Sequence, residues 1–190
     1  RLDGEDGNDA IDAGIDNDTV YAGAGNDYVS GDDGADVIIG GIGNDSLYGG
    51  TGADAIDAGD DDDFVYAGSE NDYVAGGAGV DSLYGEGGLD TIYGGLGNDY
   101  IVGGAGNDTL YGEGGADLFA FAAGSGADVI SGFEDGSDRI DLRTYAGATI
   151  GNTTIAQIGA DTRITLTGGE TILLIGITAT NITAGDFLFT

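Results

Sequence analysis

Thirteen aspartates stand nine residues apart, from Asp9 through Asp18, Asp27, Asp36, Asp45, Asp54, Asp63, Asp72, Asp81, Asp90, Asp99 and Asp108 to Asp117, with no insertion or deletion. Two residues after each comes an apolar side chain: Ile11, Val20, Val29, Ile38, Leu47, Ile56, Val65, Val74, Leu83, Ile92, Ile101, Leu110 and Phe119. Glycine dominates the stretch before each aspartate, as in Gly40-Gly41-Ile42-Gly43-Asn44-Asp45-Ser46-Leu47-Tyr48. Such a repeat confines the chain to an architecture of stacked copies. Glycine reaches positive φ without steric cost and Asn tolerates it, so the first six positions read as a tight turn. The last three read as a short strand whose central residue points inward. Turn plus strand makes half a coil. Eighteen residues then complete a coil, and coils ~4.8 Å apart build two parallel sheets around a thin apolar interior. The expected fold is an all-β, right-handed parallel roll, a two-sheet solenoid.

Charge decides what such a solenoid needs. The chain has 35 acidic residues against four basic ones (Arg1, Arg139, Arg143 and Arg163), a formal charge of −31. An acidic chain with 41 glycines would otherwise read as disordered, but its apolar residues keep register. Aspartates eighteen apart lie above one another, seven along one edge and six along the other. Bare carboxylates so stacked repel one another, and a cation between successive loops turns the repulsion into bridges. The donors are carboxylate and carbonyl oxygens, with no His or Cys, a hard set that suits Ca²⁺ better than the strictly octahedral Mg²⁺. Seven and six stacked loops enclose eleven gaps. Eleven divalent ions, +22, would bring the formal charge from −31 to −9.

The same composition excludes partners and chemistries. With no lysine, the chain cannot neutralise a phosphate backbone, so nucleic acid is excluded as a partner. No apolar run approaches the ~18 residues of a membrane span, so no membrane insertion is expected. Without His and Cys, zinc-protease motifs, Ser–His–Asp triads and Cys–His pairs cannot form, and the segment is expected not to be an enzyme. No signal peptide heads it. It starts within a repeat, so further sequence is expected upstream of Arg1.

On these residues the chain resembles the C-terminal region of RTX (repeats-in-toxin) exported proteins, with the calcium-binding nonapeptide covering residues 4 to about 120. The resemblance implies sites built from two half-loops. One loop offers its first, third and fifth residues, and the next loop on that edge its second, fourth and sixth. The sixth is the ladder aspartate. The fifth is represented by Asn26, Asn44, Asp62, Asn98 and Asn107, and the second and fourth by Gly41, Gly43, Gly50, Gly52, Gly77, Gly79, Gly95, Gly97, Gly104 and Gly106. Asp16, Asp61 and Glu70 replace the fourth-position glycine. Glu70 fits positive φ worst, which singles out its site as the weakest. The run Asp60-Asp61-Asp62-Asp63 reads as solvated rather than as an extra ion site.

After Asp117 the register breaks, dividing the chain into a roll over 1–120 and a β cap over 121–190. Residues 119–142 resemble the segment that follows the last repeats in serralysin-type metalloproteases and other type I secreted proteins. That resemblance implies a further calcium at Asp128 and Asp138. Thr153–Ile158, Thr162–Thr167 and Thr171–Ile175 are β-branched runs between Gly/Asp turns and read as cap strands. The ending Ala184-Gly185-Asp186-Phe187-Leu188-Phe189 resembles the family's uncleaved secretion signal. Tyr48, Tyr66 and Tyr84, eighteen apart, are expected to form an outward aromatic row with Tyr28, Phe64 and Tyr100. The row either contacts a lattice neighbour or carbohydrate, or simply suits an exposed strand.

The resulting expectation is a bacterial, secreted or cell-surface calcium module that meets the type I export machinery and folds outside the cell. The alternatives are a surface-layer or adhesin segment, or the non-catalytic tail of a secreted hydrolase or epimerase.

Overall fold

The computed structural model describes residues 1–189 and contains two sheets of parallel strands that advance eighteen residues per coil. Thr19–Ala24, Val37–Ile42, Ala55–Asp60, Tyr73–Ala78, Thr91–Leu96 and Thr109–Gly114 follow one another in one sheet. Tyr28–Asp33, Ser46–Thr51, Phe64–Ser69, Ser82–Gly88 and Tyr100–Val102 do so in the other. Register follows the repeat: Leu47 pairs with Val29 on one side and Val65 on the other. From Val20 to Phe119 the inward residues are at most 1% exposed, while Ile11, near the end of the stack, is only half buried.

The strands differ from expectation in length. Most are six residues long rather than three, and the turn shrinks to three residues such as Gly52-Ala53-Asp54. The reason lies in the glycines, which read as turn formers in an isolated segment. Gly50, at φ +112°, still pairs with Asp32 and Gly68, because stacked coils on both sides satisfy its backbone.

Close stacking makes some glycines obligatory. A Cβ on Gly97 (φ +140°) would lie 1.5 Å from the Gly79 carbonyl oxygen of the preceding coil, whereas a Cβ on Gly87 would meet nothing within 4 Å. Gly97→Ala is therefore expected to cost more than about 1 kcal/mol in thermal unfolding with Ca²⁺ present, while Gly87→Ala stays near neutral. Equal effects would refute this account of the loop spacing.

Parallel stacking continues beyond Asp117. Ala127–Ser131 pairs with Thr109–Gly114, and Arg139–Asp141 with Leu118–Ala120, so residue 120 breaks neither sheet. Two and three additional residues are absorbed in the intervening loops, where aspartate spacings become 20 and 21. The sheet edge is then closed by antiparallel strands Thr154–Ile158, Asp161–Thr165 and Thr171–Ile175, the last of which lies parallel to Ala127–Ser131. Phe187–Leu188 pairs in parallel with Arg139–Asp141 after a short 3-10 turn, Ala184–Asp186, capped reciprocally by Thr183 and Asp186. The segment resembling a secretion signal is thus part of the second sheet, with Phe187 buried.

The aromatic row is a stacked column. Tyr48, Tyr66 and Tyr84 lie at ring-centroid distances of 5.7 and 4.6 Å, tilted by 13° and 16°, and Tyr28, Phe64 and Tyr100 pack against them. A second column on the other sheet, Tyr73, Tyr93 and Tyr111, did not stand out from the sequence; Tyr93 and Tyr111 are stacked 4.3 Å apart with their planes almost parallel. Tyr28 and Tyr73 keep 50% and 49% of their surface exposed. The columns act first as cross-strand stabilisation.

Candidate metal centre

The ladder aspartates line both edges with one oxygen satisfied and one open. From Asp27 onward, Oδ1 of each accepts the backbone amide of the aspartate one coil earlier: Asp27 from Asp9 at 2.8 Å, Asp63 from Asp45 at 2.8 Å, and Asp90 from Asp72 at 2.9 Å. This bond orients the carboxylate across the gap between loops. Oδ2 of Asp9, Asp27, Asp36, Asp45, Asp54, Asp63, Asp72, Asp81, Asp90, Asp99, Asp108 and Asp117 is buried without a donor. Asp18 is the exception, partly open and 3.6 Å from the Arg1 amino group.

Burying ionised carboxylates without a partner is costly, and their proton affinities reflect it. Burial pushes Asp63 and Asp72 up to about 7, and Asp45, Asp54, Asp81, Asp90, Asp99 and Asp117 up to about 6. The amide bond to each carboxylate opposes this rise, and for most of them the neighbouring ladder charges add to it. Near neutral pH the roll therefore concentrates anionic oxygen where no protein cation reaches it.

Backbone oxygens converge on the same gaps. A Cβ on Gly41 would fall 2.0 Å from the Gly23 carbonyl oxygen, and one on Gly43 2.2 Å from that of Gly25, so second- and fourth-position carbonyls point at the next loop. First-position carbonyls point back. A Cβ on Gly40 would lie 2.4 Å from the Ala58 carbonyl oxygen and 2.5 Å from Asp45 Oδ2. Gly50, Gly52, Gly77, Gly79, Gly95, Gly97, Gly104 and Gly106 repeat the arrangement. Among the described residues no three acidic side chains form a ready cage. The donor set is instead carboxylate plus carbonyl, all oxygen, which fits Ca²⁺.

The fifth-position side chains also tie neighbouring loops together. Asn26 Oδ1 accepts the Asn44 amide at 3.2 Å, Asp62 that of Val80 at 2.7 Å, Asn98 that of Ala116 at 2.8 Å, and Asn107 that of Ala127 at 2.9 Å. Asn26 itself donates its amide to Asn8 at 3.0 Å. They form a second ladder that ties loop to loop, which sequence spacing alone did not distinguish from ligation. Asn44 joins this ladder through its backbone, as the donor to Asn26.

Two expectations acquire geometry. Glu70 sits at φ +77°, and its carboxylate accepts the Gly52 amide at 2.9 Å and the Ser69 hydroxyl at 2.8 Å. The aspartate ladder runs unbroken through this loop, with Asp72 accepting from Asp54 at 2.8 Å. Asp128 and Asp138 extend the two ladders, accepting the amides of Asp108 and Asp117 at 3.0 Å each. They are not equivalent: Asp138 Oδ2 takes the Glu134 amide at 2.8 Å, while Asp128 Oδ2 is left open.

Comparison with known proteins agrees with this geometry. The sequence profile of the RTX calcium-binding nonapeptide repeat matches residues 1–29, 30–65, 66–101, 84–119 and 93–126. The crystal structure of the extracellular lipase LipA from Serratia marcescens superposes on 98% of this chain with a TM-score of 0.53 at 20% identity, a likeness of fold. This chain spans 39% of that lipase's length. Two subunits of the Azotobacter vinelandii mannuronan C5-epimerase also match. AlgE6R3 is 26% identical over 73% of this chain and 80% of its own (TM-score 0.29), and AlgE6R2 27% identical over 80% and 91% (TM-score 0.28). No curated protein sequence matches. With the repeat profile matching most of its length, the chain belongs to the RTX calcium-binding nonapeptide-repeat family.

Proposed function

We propose that this chain is a calcium-loaded scaffold module that stays unfolded where Ca²⁺ is scarce, passes through a type I exporter, and folds outside the cell. The observation that carries this reading is the run of buried Oδ2 atoms without a donor on both edges. In the cytosol those oxygens would repel one another. Extracellular modules bind Ca²⁺ with Kd of roughly 10⁻⁴–10⁻³ M, weak enough to stay empty before export. Ca²⁺ supplies the positive charge that draws successive loops together. The chain's own part is to aim one carboxylate oxygen and several carbonyls into each gap, up to eleven gaps between the thirteen repeat loops. The module itself does no chemistry in this reading, and it stabilises the secreted protein that carries it.

A second reading attaches the module to a secreted enzyme as its non-catalytic tail. It is favoured by the fold match to an extracellular lipase of which this chain spans 39%. A surface-layer or adhesin role has weaker support, because most of the tyrosines stack on one another, leaving Tyr28 and Tyr73 as the most exposed rings of the columns.

Calorimetric titration of chelator-treated protein tests the binding. Saturable uptake of several Ca²⁺ per chain, with Mg²⁺ producing no comparable heat, is the expected result. Uptake of a single ion, or equal response to Mg²⁺, would rule the ladder out as a calcium device.

A further inference from the structure

The loop 123–128 differs from every repeat loop before it. No third-position residue of the repeat loops is buried, and Ile15, Ile42 and Leu96 are 74%, 57% and 68% exposed. Ser125, the equivalent residue here, is 5% exposed and its Oγ has no hydrogen-bond partner. A hydroxyl so placed normally finds one, since an unsatisfied buried group costs about 1–3 kcal/mol. Asp128 Oδ2 in the same loop and Asp108 Oδ2 across the gap are also buried and unpartnered. Ser125 lies near enough to Asp128 to influence its proton affinity, yet no well-formed hydrogen bond joins them. Loop 123–128 therefore carries two open side-chain oxygens, Ser125 Oγ and Asp128 Oδ2, where a repeat loop offers only its ladder carboxylate.

The same loop holds the cap. Gly124 donates its amide to Glu170 Oε1 at 3.0 Å, and the Thr171 amide donates to the Gly126 carbonyl at 3.0 Å. Glu170 in turn accepts the Tyr145 hydroxyl, whose oxygen accepts the Gly168 amide at 2.9 Å. On its other side the loop grips the roll, with the Gly106 amide donating to the Ser125 carbonyl at 3.1 Å and the Ala127 amide to Asn107 Oδ1 at 2.9 Å. Loop 123–128 is thus one attachment of the cap, beside the pairing of Ala127–Ser131 with Thr171–Ile175 and of Arg139–Asp141 with Phe187–Leu188.

We propose that the Ser125 hydroxyl is an additional calcium ligand in the gap between loops 103–108 and 123–128, and that the ion bound there docks the cap. This rests on the calcium-loading reading above and adds to it a site with a different donor set and a separate task. The ion would be held by Asp108, Asp128 and Ser125, and its loss would release Gly124 and Gly126 from the cap strands before the roll itself opens.

The test compares wild type with Ser125→Ala and Ser125→Thr by hydrogen–deuterium exchange and Ca²⁺ calorimetry. In Ca²⁺, Ser125→Ala is expected to lose or weaken one site by about tenfold, equivalent to about 1.4 kcal/mol. Amides of Asp161–Thr165 and Thr171–Ile175 should exchange faster while those of Ser46–Thr51 stay protected. In chelator the sign should reverse or vanish, because Ala removes an unsatisfied hydroxyl. Ser125→Thr retains the hydroxyl and should restore the lost site. Unchanged stoichiometry with full cap protection in Ser125→Ala would overturn the proposal, as would the same change with and without Ca²⁺, which marks a packing effect. If wild-type strands such as Ser46–Thr51 ignore Ca²⁺ altogether, the calcium-loading reading fails, and this one with it. If they respond and only the cap effect is missing, the Ser125 assignment alone fails.

Discussion

In excess chelator at pH 8 and low ionic strength, the chain is expected to lose most of its far-UV β signal and to regain it cooperatively on adding Ca²⁺, but not Mg²⁺. This is the largest effect the structure implies. The folded roll places twelve ladder carboxylates of a chain with formal charge −31 into gaps where each has an oxygen without a donor. Its apolar interior holds one large side chain per strand, with only Ala or Gly buried beside it, so little hydrophobic burial is available to offset that repulsion. Each coil contacts only its neighbours along the stack, and loading one gap orders two loops at once, which makes the transition cooperative. A spectrum already β in chelator would leave the solenoid standing and remove the calcium switch.

The second large effect concerns protons. Asp63 and Asp72 titrate near 7 and Asp45, Asp54, Asp81, Asp90, Asp99 and Asp117 near 6 in the folded chain, all raised from 3.8 mainly by burial. An acid whose folded-state pKa is raised binds more protons folded than unfolded between the two values. The metal-free roll therefore gains stability as pH falls from about 7 toward 4, and loses it as pH rises through the same window. A tenfold difference in proton affinity between folded and unfolded chain is worth about 1.4 kcal/mol at most for one isolated group, and neighbouring groups share the effect. In chelator, acidification from pH 8 to 5 is expected to recover part of the β signal. With Ca²⁺ present the dependence inverts, because protons compete for the same oxygens and the loaded roll weakens below about pH 6. Circular dichroism across pH with and without Ca²⁺ reads both slopes. Parallel slopes in the two conditions would mean the ladder carboxylates do not carry the ions.

The nine-residue spacing made both aspartate edges and the inward residues legible, because stacking converts sequence period directly into position. Local composition was a poorer guide. Gly49-Gly50 reads as turn, yet the structure gives Ser46–Thr51 a full six-residue strand, since the coils above and below supply the hydrogen bonds an isolated segment lacks. The two ladders were indistinguishable in the same way: Asp27 and Asn26 are adjacent oxygen-bearing residues that each accept an amide from a neighbouring coil, and only the fold leaves Asp27 a second, buried oxygen without a donor. The cap strands were read nearly in place from β-branched runs, with observed bounds Thr154–Ile158, Asp161–Thr165 and Thr171–Ile175. Ser125 carried no signal, because a serine between two glycines is ordinary turn composition. Its burial is visible only in the fold, where Ser125 lines a small cavity with Val102, Gly104 and Ala120 in a coil two residues longer than those of the roll.

The eighteen-residue pitch also has a meaning for how such a chain can change by descent. Loss or duplication of eighteen residues within the roll returns every surviving aspartate to its own edge and every inward residue to its own sheet. A change of nine instead sends the preceding strands to the opposite sheet. The generic ladder would re-form, but Tyr28 and Tyr48 would part from Tyr66 and Tyr84 if the cut fell between them. Recombination can thus lengthen or shorten the roll in whole coils at little structural consequence, while half-coil events are screened by the side chains that distinguish one face from the other.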